Sequence, residues 1–256
     1  MKAFLDSRQT EHDPKYFMSS GAIAPNPEQP KRVEILSAGA KNAGCVLAEP
    51  TDMGIGHIAK IHSPQYLTFL ENIHERWTRI PGGGEEVVPN IHPRAREDGY
   101  PRSAVGQAGY HQADTACPIA EHTWKSAYWS AQSALNGADF IAKGGQNAYA
   151  LSRPPGHHAY ADQAGGFCFL NNSAIAAEYL LANGMRPTIL DVDVHHGNGT
   201  QGIFYRRDDV LTVSLHADPE RFYPFFWGYE QEKGEGQGLG YNLNLPIARG
   251  TGDDDF

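Results

Sequence analysis

Thr188-Ile189-Leu190-Asp191-Val192-Asp193-Val194-His195-His196-Gly197-Asn198-Gly199-Thr200-Gln201 decides how this chain folds. The stretch opens apolar and β-branched, as a buried strand does. It then delivers Asp191, Asp193 and His195 at alternate positions, which on a strand points all three side chains to one face. Gly197 and Gly199 turn the chain, and Thr200 is placed to cap a short helix running through Tyr205. Acid and imidazole groups at the carboxyl end of a strand lie where open α/β sheets place their sites. The same side chains suit zinc or a similar divalent ion.

Working outward, residues 148–151 read as another buried strand and lead into Ser152-Arg153-Pro154-Pro155-Gly156-His157-His158-Ala159. An Ala-rich helix follows over residues 171–183, with Gly184 as its stop. Further strands are expected over residues 210–216 and 241–245. Strands alternating with helices imply parallel βαβ units and an α/β fold. Toward the amino terminus, residues 2–5 read as a short strand, and the Pro- and Gly-rich stretch to Pro30 as loop. A helix is expected over residues 30–44. Ser63-Pro64 starts another, carried by Tyr66, Leu67, Leu70, Ile73 and Trp77, and a long one spans residues 123–143. Residues 81–103 break the pattern with Gly82-Gly83-Gly84 and several prolines. A loop of that length inside a compact domain is uncommon and often functional or interfacial.

A chain of 256 residues can bury one large core, and a single domain with that insertion is expected. The net charge of −9 argues against a nucleic-acid surface, because neutralising phosphates needs basic patches. Cys45, Cys117 and Cys168 show no CxxC spacing, which suits a reducing, cytoplasmic setting and offers no cysteine metal site. Residues 1–14 lack the apolar core of a signal peptide, and no apolar run reaches membrane-spanning length.

Two expected strand ends therefore carry polar clusters: His157-His158 on one, Asp193 and His195 on the other. If the strands are neighbours in a parallel sheet, both ends emerge on the same side, and two imidazoles face a metal held by Asp193 and His195. A metal with open positions lowers the pKa of bound water to roughly 7, and an adjacent imidazole can then move a proton near neutrality. That is a layout for metal-assisted amide hydrolysis. A lone Asp-x-His or His-His pair would mean little, but Pro-Pro-Gly before the histidines stiffens the turn, and both clusters end expected strands.

Arg153-Pro154-Pro155-Gly156-His157-His158-Ala159, Gly165-Gly166-Phe167-Cys168-Phe169-Leu170-Asn171-Asn172 and Asp191 through Gln201 resemble, in order and spacing, the zinc-dependent histone deacetylase family. Asp98-Gly99-Tyr100-Pro101-Arg102 and the insertion at residues 81–103 resemble its bacterial acetylpolyamine amidohydrolase branch, in which the insertion builds a dimer that narrows the site entrance. The resemblance implies a three-layer αβα fold with a mostly parallel sheet of the arginase/deacetylase type. It implies an amidohydrolase that removes acetyl groups from N-acetylated aliphatic amines, either acetylpolyamines or acetyl-lysine. Asp193 and His195 would be zinc ligands, His158 the general base and acid, and His157 its electrostatic companion. Asp191 would hold His157 and Asn198 would meet His158. Gly166 and Phe167 would line the substrate tunnel, with Tyr223 on the opposite wall. Asp191, Ser214 and Leu215, with the main chain of Asp193 and His195, would bind a monovalent cation, K+. A second such site would use the carbonyls of Phe204, Arg207, Val210 and Tyr241.

The chain departs from the pattern in two ways. The family completes its metal site with a later Asp and supplies a Tyr from a Gly-Gly-Tyr turn, and the 256 residues hold neither. The chain so reads as a truncated member with weak metal binding and little turnover. Asp253-Asp254-Asp255, following Gly250-Thr251-Gly252, reads as the cap of a further helix and not as ligands. Of the acidic residues that receive a polyamine's distal ammonium, one matches Asp114, while another falls at Val105, which cannot act so. Two other readings compete. An arginase-like binuclear site needs a carboxylate two residues after His195, where Gly197 stands. A non-catalytic assembly module is favoured by the missing ligand and disfavoured by the intact His157, His158, Asp193 and His195.

Overall fold

The computed structural model describes residues 1–94 and 99–254. The chain opens with β1 (Lys2–Phe4), then the hairpin strands β2 (Tyr16–Ser19) and β3 (Ala22–Pro25), α1 (Lys31–Asn42) and β4 (Val46–Ala48). Next come α2 (Pro64–Trp77), α3 (Ala104–His111), α4 (Thr123–Ala142), β5 (Ala148–Ala150) and α5 (Asn172–Ala182). β6 (Thr188–Asp191), α6 (Asn198–Phe204), β7 (Leu211–Ala217) and β8 (Asn242–Ile247) complete it. Apart from the β2–β3 hairpin, every named ladder is parallel, and helices flank the strands in a three-layer αβα arrangement.

The parallel strands form two sheets, ordered β4-β1-β5 and β6-β7-β8. No ladder joins β5 to β6, which corrects the expectation that these two strand ends are neighbours in one sheet. They face each other across a cleft of about 460 Å³, lined by Ala148 and Ala150 on one side and Ile189, Leu190 and Asp191 on the other. β6 is thus an edge strand, and this explains a second correction: Leu190, expected in a buried strand, is 61% exposed. Only Ile189 packs toward the core.

The core lies where α2, α4 and α5 meet the site loops. Ser63 caps α2, its hydroxyl accepting from the Tyr66 amide at 3.2 Å, and Pro64 occupies the first turn. The α2 face that follows buries Tyr66, Leu67, Phe69, Leu70, Ile73 and Trp77. Each such side chain contributes about 1.5–3 kcal/mol by leaving water. Small buried residues on α4, among them Ser130, Ala131, Ala134 and Ala138, let α5 approach closely. Ser130 Oγ and Asn172 Nδ2 both donate to the Pro154 carbonyl, at 2.9 and 3.2 Å. Both helices thereby pin the turn that carries His157 and His158.

Several local readings are corrected. The supposed loop before Pro30 contains the β2–β3 hairpin, whose turn residues Ser20 and Gly21 have φ of 50° and 80°; that pair is a short-hairpin signal. β4 and α3 were not anticipated, although Ser103 caps α3 by accepting from the Gly106 amide. Thr200 lies inside α6 and does not cap it; Gly197 occupies the cap position. The Thr200 hydroxyl instead accepts from Asn171 Nδ2 at 3.1 Å. Asp253 and Asp254 lie in a turn, with no helix there among the described residues, and Asp98 and Asp255 fall outside those residues. The three cysteines are free thiols. Among the described residues no helix is long and apolar enough to cross a membrane.

Candidate active site

The turn after β5 and the segment after β6 converge, although their strands do not pair. β6 ends at Asp191, so Asp193 and His195 are not placed by strand alternation. Two side chain-to-backbone bonds fold this segment: Asp191 Oδ1 accepts from the Asp193 amide at 3.0 Å, and Asp193 Oδ1 from the His195 amide at 2.8 Å. Asp residues readily form such local turns.

Each histidine of the pair has its own partner. His157 Nδ1 is 2.9 Å from Asp191 Oδ2, and His158 Nδ1 is 2.6 Å from Asn198 Oδ1. Both acceptors place the proton on Nδ1 and leave Nε2 for the site. The ring centroids lie 4.0 Å apart, and that of His195 is 6.0 Å from His158. Burial first, then the charge of His157, hold the His158 imidazole well below its ordinary pKa. It is therefore neutral at pH 7 and able to accept a proton. Burial pushes the Asp193 carboxyl up, but the bonds from the His195 ring and amide outweigh it and hold the group well below the usual carboxylate range. Asp193 stays ionised, as a metal ligand must be.

The walls come from two further segments. Tyr223 meets the His158 ring edge-on at 4.9 Å, and Phe222 stacks on His195 at 4.9 Å. Gly166 and Phe167 form the turn opposite, with φ of 49° and 68°. A Cβ on Gly166 would stand 2.3 Å from His158 Cδ2, so only glycine lets this backbone approach the imidazole. Phe167 packs against Phe17 of the hairpin at 5.9 Å. Asp114 ties the two walls: its Oδ2 accepts from the Tyr223 hydroxyl at 2.7 Å and from the Gly166 amide at 3.1 Å, and its Oδ1 from the Ala116 amide at 2.8 Å. Val105 packs against the core from α3.

For a metal, the chain offers one carboxylate and one imidazole, Asp193 and His195, which match zinc in kind. They already meet, His195 Nδ1 lying 3.1 Å from Asp193 Oδ1. Among the described residues no group of three His, Cys, Asp or Glu side chains is poised to hold a metal. The fit is thus in donor type and extends to two ligands. The residues expected around a monovalent cation divide in the same way. Ser214 pairs in register with Asp191. Its hydroxyl is 2.8 Å from His216 Nδ1, while His216 Nε2 is 2.8 Å from the Gly228 carbonyl. His216 therefore donates from Nε2 and accepts at Nδ1, and Ser214 keeps its lone pairs free. Leu215 follows on β7. Of the second set, the Phe204 carbonyl accepts from the Arg207 amide and the Tyr241 carbonyl from the Thr212 amide, both at 2.9 Å; Val210 lies just before β7.

Sequence reasoning missed two supports. Arg153, only 2% exposed, donates from Nε to Glu28 Oε1 at 2.9 Å and from Nη1 to the Gln9 carbonyl at 2.6 Å. Nothing in the sequence marks this arginine as buried, because its partners lie more than a hundred residues away. Tyr160 contacts Asn198 and stands just after the histidine pair.

A profile of the histone deacetylase domain matches residues 26–256. The acetylpolyamine amidohydrolase of Burkholderia pseudomallei is 48% identical over 252 residues, covering 98% of this chain and 73% of that protein. The acetylpolyamine amidohydrolase of Mycoplana ramosa is 41% identical, covering 98% and 74%. The crystal structure of the Burkholderia pseudomallei acetylpolyamine aminohydrolase superposes with a TM-score of 0.95, over 98% of this chain and 73% of that one. The HD domain of HDA15, 27% identical, gives a TM-score of 0.73 over 96% and 61%. With these motifs and this geometry, the chain belongs to the histone deacetylase family of amide hydrolases, in the branch of the bacterial acetylpolyamine amidohydrolases.

Proposed function

We propose that the protein hydrolyses the amide of N-acetylated aliphatic amines, acetylpolyamines first, releasing acetate. The observation that carries this is the pairing of two differently partnered imidazoles, His157 with Asp191 and His158 with Asn198, beside Asp193 and His195. The names of the relatives support the choice of substrate. Asp193 and His195 would hold Zn2+, which when bound polarises a carbonyl and makes water acidic near neutrality. His158 Nε2 takes a proton from the attacking water and returns it to the leaving amine. His157, held by the Asp191 carboxylate, stabilises developing negative charge. The division follows from the partners, since a carboxylate makes an imidazole more basic than a neutral amide does. The wall of Gly166, Phe167 and Tyr223 favours an unbranched alkyl chain. Three donors already occupy Asp114, and the remaining lone-pair direction is what it offers a distal ammonium. Asp191, Ser214 and Leu215 would seat K+, and the carbonyls of Phe204, Arg207, Val210 and Tyr241 a second K+.

The test is acetate release from acetylputrescine and from an acetyl-lysine peptide, in Zn2+, by a chain also carrying the C-terminal region of its relatives. Faster release from acetylputrescine is expected; release from neither substrate would refute the reading. We also propose a homodimer through residues 81–103, where Ile91 and Tyr100 are exposed. Sedimentation of a loop-shortened chain should show monomers, and an unchanged oligomeric state would remove this role.

A further inference from the structure

Tyr160 has no part in the chemistry above, yet it grips the partner of the general base. Its hydroxyl oxygen is 3.2 Å from Asn198 Nδ2, and Asn198 Oδ1 is 2.6 Å from His158 Nδ1. The Asn198 amide is therefore held at both ends, and its ends are chemically different. With Oδ1 toward the ring, Nδ1 carries the proton and Nε2 keeps its lone pair. With the amide reversed, Nδ1 accepts, the proton moves to Nε2, and the ring cannot take a proton from water there.

A hydroxyl both donates and accepts, so the Tyr160 bond alone permits either arrangement. Glu232 breaks the tie. Tyr160 and Glu232 line one cleft of about 330 Å³ together with Gln201, Gly202 and Trp227, and its other charged residues, Arg206 and Glu235, pair with each other at 2.9 Å. Burial keeps the hydroxyl protonated against the lowering bond from Asn198, and the negative charge of Glu232 adds to it. Asn198 is not among the residues lining that cleft, so an anion lining it draws the hydroxyl proton toward the cleft and turns the oxygen lone pairs to Asn198. Asn198 must then donate from Nδ2, and Oδ1 faces His158. The carboxylate is itself fixed: Glu232 Oε2 accepts from Gln201 Nε2 at 2.7 Å, the Gly228 amide at 2.9 Å and Asn244 Nδ2 at 3.2 Å. The phenol ring is fixed as well, by an edge contact with Trp227 at 5.9 Å and by Gly202, where a Cβ would stand 2.3 Å from Tyr160 Cε1.

We propose that Tyr160 is a positioning residue: its hydroxyl, polarised by Glu232, orients the Asn198 amide so that His158 holds its proton on Nδ1 and presents Nε2 to the reaction. Its importance rests on the deacetylase reading, but what it fixes is a tautomer, which exists without metal or substrate.

The test is long-range 1H–15N correlation spectroscopy on the metal-free chain labelled with 15N-histidine, with the His158 signals assigned by their loss in His158→Gln. The wild type should show a pyrrole-type Nδ1 and a pyridine-type Nε2 at His158. In Tyr160→Phe this single pattern should be lost, both nitrogens moving to intermediate shifts. In Tyr160→Phe/Asn198→Asp it should return, because a carboxylate offers an acceptor whichever way it turns. A role confined to packing would leave Tyr160→Phe unchanged, since the ring remains; that result overturns the proposal, as does a wild type with its proton on Nε2. If Tyr160→Phe does not fold, Gly202→Ala displaces the same hydroxyl by its added methyl, and an intact pattern there is equally contrary. Turnover does not enter the measurement, so failure of the deacetylase reading would show separately, as absence of acetate release.

Discussion

His158 is 4% exposed, and its Nδ1 is held by an amide that is itself buried. Across the site, the side chains of Asp193 and His195 are 50% and 38% exposed, and they bond chiefly to each other. The first half is packed from all sides: α4 and α5 pin its turn, Gly166 presses on its ring, and Asn198 meets its Nδ1. The second half is an acid–imidazole pair on a short looped segment, with the Asp193 carboxylate ionised and both side chains reaching toward solvent. Packing thus holds the histidine pair, while local polar bonds alone hold Asp193 and His195. Removing a group from the first half should cost chemistry or stability; removing one from the second should cost metal, and the turnover that needs it, with little change in stability.

The largest expected effect is on chemistry. In a chain carrying the C-terminal region of its relatives and loaded with Zn2+, His158→Ala should lose about 10²–10⁴-fold in kcat, the usual worth of general acid–base help. His157→Ala should lose less, measured as acetate release from acetylputrescine. Equal losses would erase the division of labour read from Asp191 and Asn198.

Stability separates the halves next. Gly166→Ala adds a methyl 2.3 Å from His158 Cδ2 at a positive φ, and should destabilise by about 1–3 kcal/mol in urea unfolding. Asp193→Ala, in the exposed half, should change stability by less than about 1 kcal/mol. If the two cost the same, the contrast between packed and solvent-reaching halves fails.

A smaller, graded effect is expected from acid. Burial lowers the imidazole of His12 to about 3 and that of His62 to about 4, against about 6.5 in an unfolded chain. A folded pKa below the unfolded one means that stability is fully present above pH 6.5 and is lost as pH falls toward 4. Each such histidine contributes about 1.4 kcal/mol per pH unit in that window. Urea unfolding should be level from pH 7.5 to about 6.5 and then fall by more than about 1 kcal/mol per unit to pH 5, less steeply in His62→Asn. A flat profile would mean that these buried rings are not neutral.

What the sequence revealed follows the same contrast. The helices and most of the parallel strands are legible because periodicity and caps such as Ser63-Pro64 are local. The candidate positions stand out because Pro-Pro-Gly-His-His and Asp-x-Asp-x-His concentrate acid and imidazole groups in short runs. What stayed hidden depends on distant partners. Arg153 is buried by Glu28 and Gln9, and Asp114 is bound by Tyr223 and Gly166, pairings that no local pattern encodes. The separation of β5 from β6 is likewise a matter of which edges meet. Strand alternation accounts for Asp191 alone, since β6 ends there and Asp-stabilised turns place Asp193 and His195.

The most direct test of a two-part site is calorimetric titration of Zn2+ into the wild type, His158→Ala and the Asp193→Ala/His195→Ala double variant. The account predicts that wild type and His158→Ala bind alike and that the double variant loses binding. Equal affinity in all three would contradict it, because the metal would then be held elsewhere.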